Sequence, residues 1–210
     1  MKMNKELIEQ LLQLNVDVVA VSKKHSKAEV DAVAQLGLTT FGENRVQEFL
    51  EKYDPKYTWH IIGHLQTNKV KYIIGKVDLI ESVDSIKLAQ EIEKQAAKQN
   101  IIQKILVELK ISEDPNKTGL PVSQVWDVLQ AIEAMPHIEV KGLMCIASHT
   151  EDVAKIIHEF ETMKALFNDA KAKYPTIDTL SMGMSQDYTL AIEHGSTMVR
   201  IGTAIFGKPL

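Results

Sequence analysis

The sequence predicts an α/β fold, a single (β/α)8 TIM-type barrel covering residues 1–210, and three observations carry that prediction. Short β-branched runs alternate with segments of helical period about eight times along the chain. The length, 210 residues, is only slightly short of the ~250 usual for a closed barrel of eight βα units. The competing architecture, an open doubly wound sheet, often has a glycine-rich turn after its first strand, whereas here that strand ends in Ser22-Lys23. No linker, low-complexity run or shift of composition divides the chain.

The elements follow in order. Leu7, Ile8, Leu11, Leu12 and Leu14 recur at helical spacing and predict a short helix before the first strand. Val18-Val19-Ala20-Val21 is β-branched and apolar, as a strand buried on both faces requires. Ser26 is placed to cap the next helix, with Glu29 at capping-box spacing, and Gly37 ends it. Thr39–Phe41 predicts a brief strand into Gly42-Glu43-Asn44, followed by a helix over Val46, Phe49 and Leu50. The run from Tyr57 to His64 is a strand leading into a helix with Val70, Tyr72, Ile73 and Ile74. Val77–Val83 is a strand, and Asp84 or Ser85 caps a helix over Leu88, Ile92 and Ala96. In the second half the predicted strands are Lys104–Ile111, Val140–Ala147, Thr179–Met182 and Thr197–Ile201. Between them lie a polar loop from Ser112 to Gly119 and helices over Val125–Ile132, Ile156–Phe167 and Tyr188–His194.

Composition narrows the function. A net charge of −4 and a pI of about 6.0 give no electrostatic footprint for nucleic acid. The single cysteine, Cys145, allows no internal disulfide or multi-cysteine zinc site and suits a reducing compartment. Charge interrupts the N-terminal segment, so it does not read as a signal peptide, and no run approaches the ~20 apolar residues of a membrane span. A cytoplasmic protein is expected. Cys145 itself reads as a packed core residue rather than a reactive thiol.

Chemistry gathers at the carboxyl ends of parallel strands. Lys23 emerges there from the first strand, beside Lys24 and His25, whose charge disfavours an ammonium. Two readings stand for Lys23: a capping lysine with its head in water, or an amine that forms a Schiff base with an aldehyde. Near the C-terminus, Gly183 and Gly202 follow the seventh and eighth strands, whose loops form the usual phosphate site of such barrels. Ser185 and Thr203 add hydroxyl donors. A phosphate anchor and an aldehyde acceptor together describe pyridoxal phosphate. Arg200 lies inside the last strand and needs a partner. A structural ion pair with Glu81 or Glu108 and a ligand acceptor at the barrel mouth are the two options.

Several segments together carry a resemblance. They are Val21-Ser22-Lys23, Phe41-Gly42-Glu43-Asn44, Trp59-His60-Ile61-Ile62-Gly63 with Leu65-Gln66-Thr67-Asn68-Lys69, Lys117-Thr118-Gly119, Gly142-Leu143-Met144, Ser181-Met182-Gly183-Met184-Ser185, and Val199-Arg200-Ile201-Gly202-Thr203 running into Gly207. Over nearly its whole length the chain resembles the pyridoxal phosphate homeostasis protein family. The resemblance implies a barrel like the alanine racemase N-terminal domain, with the cofactor, pyridoxal 5'-phosphate, held on Lys23 as an internal aldimine. Ser185 and the backbone N–H groups of Gly202 and Thr203 would hold the phosphate, Arg200 would meet the pyridine nitrogen, and Asn44 would line the ring. It implies a monomer that takes part in pyridoxal phosphate supply, with PLP-dependent apoenzymes as partners. The sequence departs from the family pattern at Arg45, where tyrosine is frequent, at His64, where proline is common, and at Lys110, which replaces a frequent asparagine. The N-terminal helix is also shorter than usual. These departures touch the rim, not the anchor set.

The same resemblance bears on catalysis. Racemases of this fold use a tyrosine from an added β domain on the opposite face of the cofactor, and the sequence ends at Leu210 without such a domain. Tyr188 reads as a packing residue, and His64 and His149 as rim residues near strand ends. The expected function is therefore a non-catalytic pyridoxal phosphate-binding protein. The alternatives are a small fold-type III amino-acid racemase, which would turn over an L-amino acid, and a cofactor-free sugar-phosphate enzyme, which would be colourless. No metal site is expected.

Overall fold

The computed structural model describes residues 3–114 and 117–207. Helix α1 (Lys5–Leu11) precedes β1 (Asp17–Val21). Then come α2 (Lys27–Ala34), β2 (Thr40–Glu43), α3 (Val46–Lys52), β3 (Thr58–Ile61), β4 (Leu79–Val83) and α4 (Ile86–Gln99). The second half holds β5 (Gln103–Lys110), the two-residue β6 (Leu120–Pro121), α5 (Val125–Glu133), β7 (Ile138–Cys145), α6 (Val153–Lys173), β8 (Thr179–Met184), α7 (Tyr188–Glu193), β9 (Met198–Ile201) and α8 (Thr203–Phe206).

All strand pairings are parallel. They run β1–β2–β3–β4–β5–β7–β8–β9, and β9 pairs back onto β1. This closes the expected eight-stranded barrel of the TIM type, with helices between strands. The ninth strand, β6, only extends the end of β5, with Leu109 opposite Leu120.

Alternation along each strand sorts side chains into two layers. Val19, Leu79, Leu106, Met144 and Met198 form one buried cluster that fills the barrel bore. Their neighbours, such as Ala20, Ile80, Ile105, Leu143 and Val199, face the helices and join the larger core with Val30, Phe49, Leu88, Leu129 and Phe160. Burying one such side chain stabilises the fold by ~1.5–3 kcal/mol. Cys145 is fully buried in this outer layer, and burial pushes its thiol up to about 12, so it behaves as a core residue.

Local signals in the sequence act as read. Ser26 accepts from the Glu29 N–H while Glu29 returns a bond to the Ser26 N–H at 2.7 Å, a complete capping box. Ser85, not Asp84, caps α4. One expectation is corrected. Between β3 and β4 there is no α-helix, only a 3-10 segment, Thr67–Tyr72. The Ile73 N–H bonds to the Val70 carbonyl, and tight winding aligns positions three apart, burying Val70 and Ile73 together. Just beyond the segment, the Gln99 side chain of α4 donates to the Ile74 carbonyl at 3.2 Å. In addition, β7 starts and ends two residues before the predicted run. Among the described residues no helix is long and apolar enough to cross a membrane.

Candidate functional site

A cavity of about 580 Å3 opens at the carboxyl ends of the barrel strands. It is lined by Lys23, Asn44, Ser185, Arg200, Gly202 and Thr203, the six residues singled out from sequence. The volume suits a small organic cofactor.

Lys23 lies two residues beyond β1, at the mouth, and is exposed. The chain beneath it is fixed. The Ser22 N–H donates to the Gly42 carbonyl at 3.1 Å, and the Ser22 hydroxyl donates to Glu43 at 2.6 Å. The Lys52 ammonium, buried, donates to both the Ser22 carbonyl at 2.8 Å and Glu43 at 2.7 Å. On the far side of Lys23 the backbone turns through Lys24 at φ 62, whose N–H donates to Glu48 at 2.7 Å. His25 faces Glu29 at 2.9 Å and stacks on Phe206. Lys23 thus projects from backbone that is held on both sides.

The loop after β8 forms the second wall. Gly183 has φ +95, and a Cβ there would lie 2.5 Å from the Ala191 side chain, so only glycine lets β8 turn so tightly under α7. The Met184 N–H donates to Asp187 at 2.6 Å. This presents the Ser185 hydroxyl to the start of α8, where it accepts from the N–H groups of Gly202 at 3.2 Å and Ala204 at 3.4 Å. The N–H groups of Gly202 and Ala204 therefore converge on one point. Ala204 was not read from the sequence because it acts through its backbone alone. Thr203 lines the cavity beside them.

Arg200 is buried, stands near Glu81 rather than pairing with Glu108, and reaches the cavity wall. Its guanidinium donates to Ser181 Oγ at 2.5 Å and to the Cys145 carbonyl at 2.8 Å, stands 3.9 Å from Glu81, and still lines the cavity. Glu81 accepts from Ser181 at 2.6 Å and faces His60 Nδ1 at 2.7 Å. Burial pushes the Glu81 carboxyl up. The His60 hydrogen bond and charge, the Arg200 charge and Ser181 outweigh that and hold it below the usual range. Glu108, the other partner considered, instead accepts from Thr118 at 2.8 Å. Its second oxygen has no hydrogen-bond partner among the described residues, and burial pushes its carboxyl up.

A raised folded-state pKa means the folded chain binds the proton better than the unfolded one. The Glu108 contribution is then full below ~4.3, the unfolded value, and is lost as pH rises through the folded value. Urea unfolding of Glu108→Gln and wild type is expected to show a stability difference that moves in favour of the variant from pH 4 to pH 8. A difference that does not change with pH would count against a raised carboxyl there.

Asn44 is held by a close approach. A Cβ on Gly63 would lie 2.6 Å from the Asn44 carbonyl oxygen and 2.7 Å from its Cα. Gly63→Ala is expected to displace Asn44 and cost ~1–3 kcal/mol on denaturation, as overpacking does.

The sequence did not single out Lys117 as a cavity residue; it lines the wall and donates to the Ala147 carbonyl. His149 lines the cavity as well. His64 does not; it sits on the neighbouring rim, 3.2 Å from Asp84. Tyr188 packs against the core and does not line the cavity.

Residues 1–209 match the family model described as "Alanine racemase, N-terminal domain". A pyridoxal phosphate homeostasis protein of Aquifex aeolicus is 43% identical over 177 residues, covering 82% of this chain and 78% of the relative. One from Vibrio alginolyticus is 38% identical over 201 residues, covering 92% and 86%. The structure of PipY from Synechococcus elongatus with PLP bound superposes with a TM-score of 0.90 at 32% identity, covering 97% of this chain and 99% of that one. With the barrel and the cavity at its mouth, these matches make the chain a member of the alanine racemase N-terminal domain family, among the pyridoxal phosphate homeostasis proteins.

Proposed function

We propose that this chain binds and releases pyridoxal 5'-phosphate as a non-catalytic homeostasis protein, working as a cytoplasmic monomer that supplies the cofactor to PLP-dependent apoenzymes. One barrel unit, residues 1–210, carries this function. The observation that bears most weight is that Lys23, Ser185, Gly202 and Arg200 line one cavity, with the Gly202 and Ala204 N–H groups meeting at the Ser185 hydroxyl. Each fits a different part of the same ligand. The exposed Lys23 amine is available to an aldehyde carbon, with loss of water. The converging N–H groups and the Ser185 hydroxyl match a phosphate. The Arg200 guanidinium, already held by Ser181 and Cys145, presents a fixed donor to a ring nitrogen. Asn44 and Thr203 complete the lining. PipY with PLP bound supports the ligand, and the names of the relatives support a homeostatic rather than an enzymatic role.

The test is visible absorbance before and after borohydride, on wild type and Lys23→Ala, with a racemisation assay on L-alanine alongside. Wild type is expected to carry a yellow band that borohydride bleaches, with the label on Lys23 and no turnover. In Lys23→Ala that band is lost. A colourless wild type that takes up no added cofactor sinks the reading, and measurable racemisation replaces it with the enzyme.

A further inference from the structure

We propose a second ligand site: a rim pocket beside the cofactor cavity that binds a phosphate dianion, either the free ion or a small phosphate monoester. The pocket holds about 280 Å3 and shares Asn44 with the main cavity. That volume is at or just under the ~300–1,000 Å3 of drug-sized ligands, so a compact ligand is indicated.

Its lining is almost all donor. Arg45 and Gln47 come from the start of α3, and His64, Gln66 and Lys69 from the segment after β3, while Val46 alone is apolar. Two cations from two different segments therefore line one small space, together with the carboxamides of Asn44, Gln47 and Gln66. Neither Arg45 nor Lys69 has an ion-pair partner among the described residues. No carboxylate lines the pocket. Of the nearby acids, Glu48 accepts from the Lys24 N–H at 2.7 Å, and Asp84 stands behind the lining, 3.2 Å from His64. The Lys69 ammonium also lies over the Tyr72 ring, 5.9 Å from its centroid. In a chain of net charge −4, a pocket lined by two cations without carboxylate partners is a local reversal of sign.

The ligand class follows from the donors. A guanidinium fork, an ammonium and carboxamides approaching from two sides match a tetrahedral oxyanion carrying two charges.

The experiment is a backbone amide NMR titration of the protein saturated with pyridoxal phosphate, using inorganic phosphate and glycerol 3-phosphate at fixed ionic strength. Wild type is expected to show saturable shifts at Arg45, Gln47 and Lys69 with either probe. In the double variant Arg45→Gln, Lys69→Gln the affinity is expected to fall at least tenfold while the cofactor absorbance stays unchanged. Tighter binding of glycerol 3-phosphate identifies an ester ligand; equal or exclusive binding of inorganic phosphate identifies the free ion. The proposal is overturned if the shifts are confined to Ser185, Gly202 and Ala204, if they do not saturate, or if the double variant binds as well as wild type. The rim signals are read separately from Lys23, so failure of the cofactor reading and failure of this one are distinguishable.

Discussion

Arg200→Met is expected to lose ~3–5 kcal/mol of stability at pH 7, the usual cost of removing one member of a buried charge pair. The loss arises at Glu81 rather than at the cavity. Glu81 is fully buried, and its depressed folded pKa is held down in part by the Arg200 charge. A depressed carboxylate contributes stability that is present above the unfolded value of ~4.3 and is lost as pH falls through the folded value. Removing Arg200 shrinks that contribution, so the gap between variant and wild type is expected to be widest near neutrality and to narrow on acidification. Urea unfolding from pH 3 to pH 8 reads this directly.

Arg200→Lys separates charge from shape. It keeps a cation near Glu81, but an ammonium on a flexible stem does not reproduce the planar fork that reaches Ser181 and the Cys145 carbonyl together. The lysine variant is therefore expected to recover much of the stability while leaving the bound cofactor with an altered absorbance maximum. If both variants match wild type in stability, the His60–Glu81–Ser181–Arg200 chain is not the brace described here.

What could be read in advance follows the range of each signal. Lys23 and Arg200 were legible as charges at the end of, or within, apolar strands, and Ser185 and Gly202 by their place just after strands, because the barrel puts strand ends together. The strands were legible from local composition, and the α2 start from Ser26 and Glu29 three residues apart. The brace beneath Arg200 was only half legible. Glu81 was one of two partners considered, and nothing local distinguishes it from Glu108; the choice depends on Ser181, a hundred positions away. Ala204 contributes an N–H that any residue but proline would supply. The 3-10 segment after β3 was misread as a helix because Val70, Ile73 and Ile74 fit either winding. The rim pocket was invisible because Arg45 and Lys69 are ordinary surface cations until the fold sets them across one space.

Lys52→Met is the second large effect expected, again ~3–5 kcal/mol, and it acts on the platform under Lys23. Lys52 and Glu43 are both buried, 2.7 Å apart, in the layer between β2 and α3. Burial already pushes the Glu43 carboxyl up against the opposing pull of the Lys52 and Ser22 hydrogen bonds and the Lys52 charge. Its other oxygen has no hydrogen-bond partner among the described residues. Without Lys52 the carboxylate keeps only the Ser22 hydroxyl, and the Ser22 carbonyl keeps only the His25 N–H, at 3.0 Å. Protonation relieves the stranded charge, so the penalty is expected to shrink as pH falls. The double variant Lys52→Met, Glu43→Leu removes both charges and is expected to regain most of the loss. A residual cost of ~1–2 kcal/mol should remain for the Ser22 hydroxyl, left without its acceptor. A double-mutant cycle by urea denaturation measures this coupling. Additive penalties would mean that the two side chains are stabilised independently, and that the backbone around Lys23 is held by the Ser22–Gly42, His25–Ser22 and Lys24–Glu48 bonds without help from the pair. Strong coupling would instead make the buried pair the reason an exposed lysine is presented from a fixed position.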